Sequence, residues 1–399
     1  MRKNKNGLLS RRQFGAISIL GAASAFLPLK SKGSEFKIPS SGAETKVFLE
    51  GLKKGASDQA ISESVRNTAL AATDFSWLSK GDRVLIKPAC NSNHPYPATT
   101  HPASITAMTK LLREKGAGKV VVMDMGGIES VKLSPEGLRG STRQLMKENG
   151  ILAGAEAGGA EVYFPEEEGW GAFFEDGPVK GSNWKAGIML PKKLKEVDHI
   201  VLMPRTSRHT ILGTTLGLKA VVGYMRYDSR LEYHRDAASI YEKTAEANTV
   251  PSLKNKLRLT LSTATKVLTS FGPDEGYITE PETGLVFASE NLVAHDMLSL
   301  AWFLQNRNLT PDEEKSFRKD PYLSLSSTLN RGVVLLLGGA REVLKTESMK
   351  SYDFQNIWDE PALNRAFHIF GGVPRVSLVD TGNTVPALLK ETLLKKISV

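Results

Sequence analysis

Cysteine is almost absent: Cys90 is the only one in 399 residues. A disulfide within the chain is therefore excluded, and no cysteine-ligated iron–sulfur cluster or four-cysteine zinc site is expected. Acidic residues are missing from the first 25 positions, which hold Arg2, Lys3, Lys5, Arg11 and Arg12. The apolar run that follows, Phe14 to Leu29, falls short of the roughly 20 residues a bilayer span needs, so no stable membrane span is expected. Apolar residues make up 41% and charged residues 24%, a globular balance that excludes wholesale disorder, collagen and coiled coil.

The formal net charge is +9, from 52 basic and 43 acidic residues. Five of those basic residues lie in the first 25 positions, so removing them leaves 47 against 43, or +4. The remaining Lys and Arg alternate with acids instead of forming a stripe with aromatics, so nucleic acid is not an expected partner. A basic n-region, a short apolar stretch and Ala23-Ser24-Ala25 read as a cleavable export signal over 1–25. Within it, Ser10-Arg11-Arg12-Gln13-Phe14 resembles the twin-arginine motif, with Gly15 where leucine is usual. That resemblance implies the twin-arginine export machinery as a partner and a periplasmic or otherwise exported location. Residues 26–44 read as a polar tether and 45–399 as the folded domain.

Strands are predicted at 46–49, 83–87, 119–123, 161–164 and 200–203, and helices at 57–72, 102–115 and 141–149. Their alternation predicts an α/β fold, a mostly parallel sheet with helices on both faces. Residues 166–187 lack periodicity and read as a long loop, either a lid or a passive surface insertion.

Ligands of such sheets bind beyond the carboxyl ends of the strands. Three segments there carry chemistry. The first, Pro88 to His101, follows Lys87 and includes Cys90, Asn91 and His94. His101 precedes Pro102 and falls at a helix cap, where the helix dipole disfavours imidazolium. A neutral ring there suits a base or a metal ligand, or simply a capping and packing role. His94 reads as a surface residue. The second, Asp124-Met125-Gly126-Gly127, offers a carboxylate and close backbone approach, or merely a turn. It is neither G-x-G-x-x-G nor a Walker A pattern. The third, Pro204 to His209, supplies Arg205, Arg208 and His209 with two hydroxyls, a set suited to carboxylate or phosphate. Lys219 follows among Leu216, Leu218, Val221 and Val222. It is either desolvated with a lowered pKa or a snorkelling side chain. Tyr227 to Asp236, with Arg230 and His234, is a polar stretch that needs partners or forms a solvated turn.

Val84 to Pro88, Thr99-Thr100-His101-Pro102, Val120 to Gly127, and Lys219 with Gly223 together resemble the bacterial and archaeal family called domain of unknown function 362. Ala220 stands where that family usually has asparagine, and Glu290 to Asp296 echoes a later family element. The resemblance runs from about residue 45 to about residue 300 and implies a shared fold and ligand site. Many members carry an added four-cysteine ferredoxin-like module, which Cys90 alone cannot supply.

Two functions fit. In an enzyme, His101, His209, Lys219 and His234 would move protons on a small carboxylate or a bound cofactor. Lys87, Asn91, Asp124, Arg205 and Arg208 would bind it. Two histidines facing one carbon suit a racemase, for which nickel-pincer lactate racemases are an analogy only. In a non-catalytic periplasmic binder, the same cations would hold a small anionic ligand or cofactor. No H-x-x-x-H or H-E-x-x-H spacing supports a metal site.

Overall fold

The computed structural model describes residues 41–398. The segment read as an export signal, and the one read as a tether as far as residue 40, lie outside the described residues. Eight strands form the main sheet: β1 (Ser41–Lys53), β2 (Arg83–Pro88), β3 (Lys119–Met123), β4 (Glu161–Tyr163), β5 (His199–Met203), β6 (Leu257–Ala264), β7 (Thr283–Ser289) and β8 (Val373–Asp380). Their spatial order is β8-β1-β7-β6-β5-β2-β3-β4. Only β7 runs against its neighbours β1 and β6; the other adjacent pairs are parallel. The sheet is therefore mostly parallel, as the sequence pattern predicts. β1 begins at Ser41, ahead of residue 45.

The central strands read as apolar runs because both faces are covered. Val84, Ile86, Val120, Val122, Val201 and Met203 pack into one core, while Leu85, Val121, Ile200 and Leu202 enter the other. The larger helices are α1 (Asp58–Ala72), α2 (Pro102–Glu114), α3 (Thr142–Glu148), α4 (Ile151–Gly158), α5 (Tyr227–Arg235), α6 (Ile240–Glu246), α7 (Leu292–Asn308), α8 (Tyr322–Gly338), α9 (Pro361–Ile369) and α10 (Ala387–Ile397). α1, α2 and α4 cover the first face through Val65, Met108 and Ile151. α7, α9 and α10 cover the second through Met297, Phe367 and Leu393. Serines start α1 and α3, where Ser57 and Ser141 side chains accept backbone N–H groups of the first turn.

Two predicted irregular segments are ordered differently. Residues 166–187 contain the strand Phe173–Asp176, which pairs with Ile188–Pro191. The Asn183 backbone and side-chain N–H groups donate to Glu246 at 2.7 and 2.8 Å, and Trp184 Nε1 donates to the Lys243 carbonyl at 3.1 Å. The segment is thus pinned against α6, a buttress and not a free loop. Its Phe-Phe-Glu-Asp strand carries no alternation for a pattern reading to detect. Tyr227 to Asp236 is mostly α5, whose burial of Arg230 and His234 lowers its apparent amphipathicity.

Candidate functional site

The carboxyl ends of β2, β3 and β5 meet below a four-stranded second sheet built from Ser207–His209, Gly213–Thr215, Val267–Leu268 and Ile278–Thr279. At the floor, Lys87 Nζ lies 2.9 Å from Asp124 Oδ1 and donates to the Pro88 carbonyl at 2.8 Å. Asp124 also accepts the Cys90 and Met125 backbone N–H groups at 2.7 and 2.9 Å. Both side chains are buried, and burial drives the Lys87 pKa down while Asp124 opposes that shift. The pair joins the ends of β2 and β3, and the Lys87 amine also lies 5.2 Å from the centre of the Tyr224 ring. The paired carboxylate also explains Gly223. A side chain there would place its Cβ 2.1 Å from Asp124 Oδ1 and 2.8 Å from Lys87 Nζ.

Lys219 stands above this floor on the 3-10 segment Leu218–Tyr224. Asp296 holds the start of that segment, accepting the Gly217 and Leu218 N–H groups at 2.9 and 2.7 Å. His295 bridges Asp296 to Ser262, with both of its contacts at 3.0 Å. The Glu290–Asp296 element therefore positions Lys219. The Lys219 amine has no hydrogen bond or ion pair with any other described residue. Burial, then the nearby Arg205 and Arg230 charges, press its pKa down to about 7, against the opposing pull of Asp274. The desolvated reading of Lys219 thus describes its surroundings better than the snorkelling one.

His209 and His234 lie within electrostatic reach of Lys219 and of each other. Burial first, then the surrounding cations, hold His209 well below its ordinary pKa and bring His234 to about 4. Both rings are therefore neutral at pH 7, but they hold their protons differently. His209 Nδ1 accepts the Ile211 and Leu212 N–H groups at 3.1 and 3.4 Å, so its proton sits on Nε2. Asn330 of α8 donates Nδ2–H to the His234 carbonyl at 2.8 Å, which leaves its Oδ1 to face His234 Nδ1 at 2.7 Å. The His234 proton therefore sits on Nδ1, and Nε2 presents a lone pair. One ring offers an N–H donor and the other a base.

Arg205 is buried and makes one hydrogen bond, Nη1 to the Pro273 carbonyl at 2.7 Å. Arg230 donates to the carbonyls of Met225, Gly126 and Gly223 at 2.9, 3.0 and 3.4 Å. Neither guanidinium forms an ion pair with a described residue. Asn91 Nδ2 donates to Asp274 Oδ1 at 2.9 Å, bringing the first loop to the same place.

Two predicted members do not join. His101 caps α2 and accepts the Ala103 N–H at 3.2 Å, with its ring against Tyr96 and Nε2 3.7 Å from Asp58. Its charged neighbours are Asp58 and Lys266, whereas Lys219 acts on both His209 and His234. The cap geometry that keeps the ring neutral also commits Nδ1 to the backbone. Arg208 is spent on structure: Nε and Nη2 lie 3.0 and 2.9 Å from the Asp320 carboxylate, and Nη1 donates to the Gly213 carbonyl. The residues missed are Arg230, Asp274, Asp296 and Asn330. Arg230 and His234 are four positions apart on a helix, a spacing visible in the sequence once α5 is recognised. Asn330 carries no local signal.

Among the described residues, no three His, Cys, Asp or Glu side chains gather to hold a metal. No described helix is long and apolar enough to cross a membrane. What remains is an α/β protein whose sheet ends carry a buried cationic cluster with two neutral histidines. Residues 84–301 match the family described as Domain of unknown function (DUF362), a span of more than half the chain, and the protein belongs to that family. Among solved structures, the lactate racemase apoprotein from Thermoanaerobacterium thermosaccharolyticum is similar, with 14% identity and a TM-score of 0.39 over 64% of this chain and 56% of that one. The chain thus spans little more than half of that protein's length. None of the curated proteins matches this sequence.

Proposed function

We propose that this protein holds a small carboxylate beyond the ends of β2, β3 and β5 and moves a proton on it. The opposite protonation of two buried, neutral histidines beside an unpaired lysine carries this reading. In it, Arg205 binds the carboxylate and His234 Nε2 takes a proton from the adjacent carbon. The electron pair left on the substrate is stabilised as an enolate by Arg205 and the His209 Nε2–H. Lys219, with a pKa of about 7, returns a proton. Lys87, Asp124 and Asp296 act by positioning.

A panel of small carboxylic acids incubated with the enzyme in D2O tests this by proton NMR. At least one acid is expected to exchange its hydrogen next to the carboxylate, with the exchange lost in His234→Ala and Lys219→Met. Ligands that bind equally well to wild type and His234→Ala, without exchange, would instead support a non-catalytic binder. The Ser10–Phe14 motif further supports folded export to the periplasm through the twin-arginine pathway. The double variant Arg11→Lys, Arg12→Lys is expected to stay in the cytoplasm on fractionation, and its periplasmic recovery would refute that route.

A further inference from the structure

Single exposed leucines are ordinary on a protein surface, but several together beside charges of one sign mark a docking place. One such place lies at the carboxyl end of α8. The inner face of that helix is spent on Ser326, Asn330 and Val334, all buried. Its outer face carries Arg331 and Leu335 one turn apart, with Leu335 48% exposed. Gly339, with φ at 78°, turns the chain into the short helix Ala340–Val343, and Leu344 follows, 88% exposed. A hairpin of Lys132–Ser134 and Gly137–Arg139 packs alongside. Lys132 Nζ donates to the Leu336 carbonyl at 2.9 Å, and Leu133 shares a small core with Leu337. Leu138, opposite Leu133 in the hairpin, is 37% exposed.

Residues 129–140 and 331–345 form this surface. They hold Lys132, Arg139, Arg331, Arg341 and Lys345 against Glu129, Glu136 and Glu342, five bases to three acids. Glu342 is taken up by Arg235 and Lys345 at 3.1 and 2.5 Å. Lys132, Arg139, Arg331 and Arg341 form no ion pair with another described residue, and there is no acid at all from Pro321 to Arg341. Leucines beside unpaired bases complement an anionic bilayer, where apolar side chains enter the headgroup layer and Lys and Arg meet its phosphates. We propose that this face docks the protein on an anionic lipid surface through Leu138, Leu335 and Leu344. The attachment is peripheral, since no described helix is long and apolar enough to cross a membrane. It rests on none of the proton chemistry above.

The test is Leu344→Cys in the full chain, labelled with a nitrobenzoxadiazole dye. Cys90 is buried, so the new thiol takes the label. Leu388→Cys, 76% exposed on α10, is the control. With vesicles of equal parts phosphatidylglycerol and phosphatidylcholine, the dye at 344 is expected to brighten and shift to the blue, while the dye at 388 stays as in water. The response should be at least ~10-fold weaker with phosphatidylcholine alone and should fade at high salt. Arg331→Glu with Arg341→Glu should weaken it by a similar factor, and Arg331→Lys with Arg341→Lys should keep it, which separates charge from fold. If the vesicles capture the protein while the dye at 344 stays in water, the basic first 25 residues hold the lipid and the assignment falls. Equal responses at 344 and 388 would overturn it as non-specific adsorption. If the dye at 344 responds instead to rising protein concentration without vesicles, the face joins two copies of the chain and the lipid assignment is wrong. If neither vesicle captures the protein, it is refuted outright.

Discussion

Gly223→Ala places one methyl group against the buried pair at the floor of the site. Its Cβ would lie 2.1 Å from Asp124 Oδ1 and 2.8 Å from Lys87 Nζ, far inside contact distance. Neither neighbour can yield cheaply. Asp124 is held by the Cys90 and Met125 N–H groups, and Lys87 by the Pro88 carbonyl. The Gly223 carbonyl accepts the Met125 N–H at 3.2 Å, which opposes retreat of the backbone. Relief therefore requires the pair to separate, and breaking a buried pair costs about 3–5 kcal/mol. The lower entropy of the unfolded chain with alanine offsets roughly 0.4–1 kcal/mol of that. A net loss of about 3 kcal/mol is expected, a large share of the ~5–15 kcal/mol that holds a typical domain. Urea unfolding monitored by circular dichroism measures it. Gly171→Ala is the control, since nothing lies within 4 Å of a Cβ there, and it should stay within about 0.5 kcal/mol of wild type. A Gly223→Ala midpoint indistinguishable from that of Gly171→Ala would refute the account of the floor.

Lys219 has a folded-state pKa of about 7 against an ordinary 10.5, so between those values the unfolded chain binds the extra proton and stability rises with pH. Lys219→Met should flatten that rise, by up to a few kcal/mol between pH 7 and 10; parallel pH curves for variant and wild type would contradict the burial argument. Asn330→Asp puts a carboxylate against His234 Nδ1 and should lift the His234 pKa from about 4 by at least ~1 unit. Nitrogen NMR of the ring reads both this pKa and the tautomer, and a wild-type ring protonated on Nε2 would remove its role as a base. Asp320→Asn takes the counter-charge from Arg208 and Arg307, both ion-paired to it at 2.9 and 2.6 Å. It should cost about 3–5 kcal/mol in the same unfolding assay, and a near-neutral result would return Arg208 to the ligand-binding candidates.

The sequence by itself determined the sheet. Val84 to Ile86, Val120 to Val122 and Ile200 to Leu202 are apolar because each strand is covered on both faces, and that is a local property. Pro88, Pro102 and Gly116 mark where elements stop and start for equally local reasons of backbone geometry. The same logic located the three segments beyond the strand ends. What each polar residue does there was decided only by the tertiary structure. Arg205 and Arg208 are three positions apart and chemically identical, yet Asp320, 112 residues from Arg208, occupies one and leaves the other open. His101, partly buried, and His209, fully buried, both hold Nδ1 on the backbone, but their rings have different neighbours. The proton position on His234 depends on Asn330, 96 residues away on α8. Hydrophobic periodicity records what each residue must bury, and so it encodes the fold locally. The charge state and availability of a buried polar group depend on which distant group fills its remaining hydrogen-bonding direction, and only the folded chain brings that group within reach.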